Sequence, residues 1–165
     1  ISRGLVGSEM CIRDSTLSDL AQTKRFANCL SQFIAPGRVF CLSGPLGAGK
    51  SELARAMITN FCGPQDDIPS PTFTLVQPYL SDAGFEVWHM DLYRLETAEQ
   101  ALALGIEDAF YACCCLIEWP DKLQERLPAD QIRIDLAMGA DTTARVVALA
   151  AAAEILDQFK QDYFS

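Results

Sequence analysis

The run Gly44-Pro45-Leu46-Gly47-Ala48-Gly49-Lys50-Ser51 matches GxxxxGK(S/T) and restricts the fold of the chain around it more than any other stretch. A loop of this form holds phosphates only where a strand delivers it and a helix starts at its lysine. Both flanks comply. "RVFCLS" before it is short, apolar and β-favouring, and "KSELARAMITNF" after it reads as a helix stopped by Gly63-Pro64. Gly44, Gly47 and Gly49 would let backbone N–H groups approach an anion, and the helix start adds partial positive charge. The expected nucleotide-binding set is Gly44, Leu46, Gly47, Ala48, Gly49, Lys50, Ser51 and Glu52. Lys50 would contact the β- and γ-phosphates, and the Ser51 hydroxyl would ligate Mg²⁺.

A magnesium site also needs a carboxylate at the end of a neighbouring strand. Asp91 after "EVWHM" and Glu118 after "CCCLI" both have that form, and ligands gather beyond the C-terminal ends of parallel strands. The sequence leaves open which of the two touches the ion. Alternation puts Val87, His89 and Asp91 on one face of their strand and Trp88 and Met90 on the other. His89, the single histidine, is read as packing or hydrogen-bonding near that strand end rather than as a catalyst. Ser70, Thr72 and Thr74 lie on a loop stiffened by Pro69 and Pro71, a form suited to sensing a γ-phosphate. Trp119, in "EWP", either contacts a partner or caps the core.

The remaining chain supports a single domain. A first helix is expected over Thr16–Ile34, a hairpin from "FTLVQPYL" and "FEVWHMDLY", a short helix from Thr97 to Gly105, and a doubly buried strand in "ACCCLIEW". Two strands around "GADT" and a terminal helix complete it. "ISRGLVGSEMCIRDS" shows neither helical nor strand periodicity and resembles translated adapter or vector sequence. Residues 1–15 are therefore set aside as a leader, with one domain over 16–165. The net charge of −9 disfavours direct contact with nucleic acid. Of the seven cysteines three are adjacent, which suits neither a metal clamp nor a disulfide framework and points to free thiols. No apolar run is long enough to span a membrane, so a cytoplasmic protein is expected.

In this order, "GPLGAGKS", "SPTFTLVQPY", "HMDLYRL" and "IEWPDK" resemble the TsaE (YjeE) family of tRNA threonylcarbamoyladenosine biosynthesis. The resemblance implies an α/β P-loop NTPase fold, with central parallel strands flanked by antiparallel ones and helices on both faces. It implies weak Mg²⁺-dependent ATP hydrolysis in concert with TsaB and TsaD, tRNA being met only through that complex. By motif, Lys50 and Ser51 hold phosphate and metal, and Glu118 is a metal-side acid. Asp91 acts on the metal or the attacking water, Thr72 belongs to the switch-like loop, and Trp119 is the EWP tryptophan. Pro45 stands where the family usually has an acid, and Ser51 where it has threonine. A small-molecule or nucleotide kinase is the alternative, although Arg94, Arg126, Arg133 and Arg145 are scattered and form no lid. A GTPase lacks its NKxD signature here. A nucleotide-binding module without turnover is the third alternative.

Overall fold

Short apolar runs that cannot hide one face alone are stacked into a sheet covered on both sides. The structure, a computed structural model, describes residues 9–165. Its elements are β1 (Glu9–Leu17), α1 (Leu20–Ser31), β2 (Val39–Ser43), α2 (Lys50–Cys62), β3 (Val76–Leu80), β4 (Glu86–Asp91), α3 (Ala98–Leu102), α4 (Ile106–Ala112), β5 (Cys114–Glu118), β6 (Ile132–Met138), β7 (Arg145–Ala152) and α5 (Ala153–Phe164). The described strands form one sheet in the order β1-β7-β6-β2-β5-β4-β3. β6, β2, β5 and β4 run parallel, with antiparallel β3 on one flank and antiparallel β7 and β1 on the other. This is the arrangement the resemblance implied.

Two cores result. On one face Phe26, Leu30, Leu53, Met57, Leu156 and Phe159 of α1, α2 and α5 cover Phe40, Leu42, Leu116 and Ile134. On the other, Ala101, Ile106 and Ala109 of α3 and α4 cover Val39, Cys41, Met90 and Ile117. β5 is buried at all five positions, as its unbroken apolar run requires. Its alternation sends Cys114 to the first core and Cys115 to the second. Burial pushes the Cys114 thiol up to about 12 and raises Cys41 and Cys115 as well, so these cysteines act as packing groups rather than nucleophiles. Among the described residues, no helix is long and apolar enough to cross a membrane.

Three local expectations need correction. Glu9–Ser15, set aside as part of a leader, pair with β7 at the sheet edge; residues 1–8 lie outside the described residues. A register shift between Ile12 and Ser15 interrupts the pairing there, which erases the two-residue period that would have marked a strand. The first helix begins at Leu20, since the Asp19 carboxylate accepts from the Gln22 N–H at 2.9 Å and caps it. Gly105, read as the end of a helix, is the left-handed link (φ 81°) from which α4 starts.

The glycine that opens the phosphate loop is fixed by the sheet. A Cβ on Gly44, at φ 143°, would stand 2.3 Å from the Leu136 carbonyl oxygen of β6. Backbone cannot yield as a side-chain tip can. Gly44→Ala is therefore expected to cost about 3 kcal/mol. Chemical denaturation checks this, and an unchanged midpoint would contradict the packing described.

Candidate functional site

β2 ends in the middle of the sheet, and the chain there must turn over the top of it into α2. Gly47 (φ 78°) and Gly49 (φ 102°) take left-handed conformations that make the turn possible. Gly49 is the N-cap of α2 and supplies no side chain, so the first N–H groups of that helix are left for a ligand. Arg145, at the start of β7, fastens the loop from outside. Its guanidinium donates to the Ala48 carbonyl at 3.0 Å and the Gly47 carbonyl at 3.3 Å. It also donates to the Thr142 and Ala144 carbonyls. With their carbonyls held outward, the loop peptides keep a fixed orientation.

Lys50 is 5 % exposed and folds back on the loop. Its Nζ donates to the Gly44 carbonyl at 2.6 Å and the Pro45 carbonyl at 2.9 Å, and lies 4.3 Å from the centre of the Trp119 ring. Burial draws the ammonium below the ordinary lysine range, and the Glu118 and Asp91 carboxylates oppose that. Trp119 is set in place by a left-handed backbone (φ 58°) directly after β5, and its ring packs on Tyr93 with centroids 4.9 Å apart.

The two candidate acids stand opposite each other in the β4–β5 register, both at strand C-termini. Each is nearly buried. The Ser51 hydroxyl donates to Glu118 at 2.8 Å from Oε1 and 3.1 Å from Oε2. Ser51 Oγ also lies 3.4 Å from Ser70 Oγ, which lies 3.0 Å from Thr72 Oγ1. Thr72 in turn donates to Asp91 Oδ2 at 3.0 Å, and the Tyr93 N–H donates to Oδ1. A row of hydroxyls thus joins the carboxylates across the loop. Together with Lys50 and Trp119 these groups line a cavity of about 230 Å³ above the phosphate loop.

Not every residue singled out in the sequence lies there. Leu46, Gly47, Gly49, Lys50, Ser51, Ser70, Thr72, Asp91, Glu118 and Trp119 line the cavity. Ala48 is buried beneath the loop, and Gly44 contributes its carbonyl to Lys50. The Glu52 side chain turns away and pairs with Arg55 at 3.6 Å. Thr74 is exposed on the far part of its loop. Arg145 escaped the sequence reading because nothing local marks a contact 98 residues away. So did the pairing of buried His89 with Glu118, at 2.8 Å.

The family model described as "Threonylcarbamoyl adenosine biosynthesis protein TsaE" matches residues 17–147. The chain belongs to the TsaE family. Proteins named "tRNA threonylcarbamoyladenosine biosynthesis protein TsaE" are similar to it over most of their length. The one from Rickettsia felis is 38% identical over 120 residues, 73% of this chain and 70% of that protein. That from Haemophilus influenzae is 40% identical over 115 residues, 68% and 72%. The Bacillus subtilis TsaE protein is 33% identical over 121 residues, 73% and 74%. A crystal structure of Bacillus subtilis YdiB superimposes with a TM-score of 0.74 over 96% of this chain and 97% of that one, at 24% identity, and shows the same fold.

Proposed function

We propose that this TsaE-family chain is an Mg²⁺-dependent ATPase that serves threonylcarbamoyladenosine formation on tRNA together with TsaB and TsaD. The observation that carries the reading is the convergence of Lys50, Ser51, Glu118 and Asp91 on one cavity at the start of α2. The donor set fits the implied groups. Ser51 and the two carboxylates are hard oxygen donors of the kind magnesium takes. Among the described residues no cluster of three or more His, Cys, Asp or Glu is placed to hold a metal alone. That suits an ion whose shell is completed by phosphate oxygens and water.

In this reading the loop N–H groups and Lys50 bind the triphosphate, and Lys50 exchanges the Gly44 and Pro45 carbonyls for phosphate oxygens. Ser51 and Glu118 would hold Mg²⁺, which when bound would supply neutralising positive charge to the phosphates. Asp91, which accepts from Thr72, would orient the attacking water directly or through the ion's hydration. Lys50 is the one cation lining the cavity among the described residues. Arg94 lies over Phe73, Arg126 pairs with Glu99, and Arg145 is held by loop carbonyls. Among the described residues the site therefore lacks the converging arginines with which kinases clamp a transferred phosphoryl group, which favours water as the acceptor. The acidic chain leaves tRNA contact to its partners.

The deciding experiment is ATP hydrolysis by the purified chain, alone and with TsaB and TsaD. Slow turnover that rises when both are present is the expected result. Turnover indifferent to them, with no complex formed, would overturn the partnership and turn the search to phosphate acceptors.

A further inference from the structure

We propose that His89 is the positioning residue of this site, holding Glu118 in its working orientation; the proposal rests on the ATPase reading above. His89 is 0% exposed within β4, and its Nε2 lies 2.8 Å from Glu118 Oε1. Its Nδ1 is buried with no partner. A proton on Nδ1 would be a buried donor facing no acceptor, whereas a proton on Nε2 meets a carboxylate. The imidazole is therefore the Nε2–H tautomer and donates to Glu118.

The use of that bond follows from what else holds the acid. Glu118 Oε1 accepts from His89 on one side and from Ser51 Oγ, also at 2.8 Å, on the other. Ser51 is the group that must turn its oxygen toward a cation when the site is filled, and its hydrogen bond to Glu118 then changes. His89 has no such second task, because it is walled off from the cavity. It keeps the carboxylate aimed when the serine lets go, while Oε2 remains the oxygen with spare lone pairs. Ligand-holding side chains are commonly oriented by a partner of this kind, and removing that partner costs metal affinity or activity.

His89→Leu and His89→Gln test this, since Gln can place a nitrogen donor near the position of Nε2. The expected result is a kcat about tenfold or more below wild type for His89→Leu, with KM for ATP within about threefold and most of the loss restored in His89→Gln. Wild-type turnover in His89→Leu, or no recovery in a folded His89→Gln, would overturn the proposal. A second measurement does not depend on either variant folding. The chain contains one histidine, so nitrogen NMR of the untagged protein reports a single imidazole. Expected are a protonated Nε2 and a bare Nδ1, with the Nε2 signal moving in Glu118→Ala; an Nδ1–H tautomer refutes the assignment. A wild-type chain with no ATP turnover would instead sink the ATPase reading and leave the tautomer result standing.

Discussion

Lys50→Ala is expected to abolish measurable ATP binding. The ammonium is the sole cation lining the cavity among the described residues, and it faces two loop carbonyls and two carboxylates. Without it an incoming triphosphate meets Glu118 and Asp91 with no full positive charge from the protein to offset them. Charged hydrogen bonds contribute about 1.5–3 kcal/mol each, so losing one or two weakens affinity by roughly a hundredfold or more. Trp119 also loses the cation over its ring, although that contact is secondary to the phosphate. Calorimetric titration with a slowly hydrolysed ATP analogue makes the measurement. Affinity retained within about tenfold would mean that the loop amides alone carry the phosphates, and the role given to Lys50 would be withdrawn.

Substituting the acids should separate binding from chemistry. Glu118→Ala and Asp91→Ala are each expected to keep substantial nucleotide affinity while turnover falls by about two orders of magnitude. Neither acid attracts the nucleotide; near a triphosphate each is a repulsive charge unless a cation intervenes. The two variants should nevertheless differ. Glu118→Ala releases Ser51 and leaves His89 without its acceptor, whereas Asp91→Ala frees Thr72 and the Tyr93 N–H. Magnesium dependence measured on both variants then assigns the ion, because the variant that needs more Mg²⁺ has lost the closer ligand. Full turnover in both variants would eliminate the metal site altogether.

The parts of the molecule legible in one dimension are those where local chemistry dictates local form. Glycines at 44, 47 and 49 between an apolar strand and a helical run admit few other structures, and β5 announced itself as a strand buried on both faces. Glu118 and Asp91 were found because each ends such a run, so the fold had to bring them to one edge. Hidden features depended on register or on distant backbone. β1 lost its periodicity at an irregular pairing, and α4 was masked by Gly105, whose left-handed turn serves a helix start as readily as a stop. The partner of His89 is fixed by the offset between β4 and β5, which neither strand's sequence specifies. Arg145 reads as one more surface arginine until its four carbonyl acceptors are seen.

The hydroxyl row between the two carboxylates makes filling this site a competition rather than a simple addition. Ser51 and Thr72, linked through Ser70, already donate to the acids, so any newcomer displaces bonds before it forms its own. A bare anion separates the serine from Glu118 and gives the carboxylates nothing in return. In the proposed reading, only an anion that arrives with its own divalent cation would leave every oxygen at least as well matched as before, so the internal hydrogen bonds would select for the metal–nucleotide pair over either component.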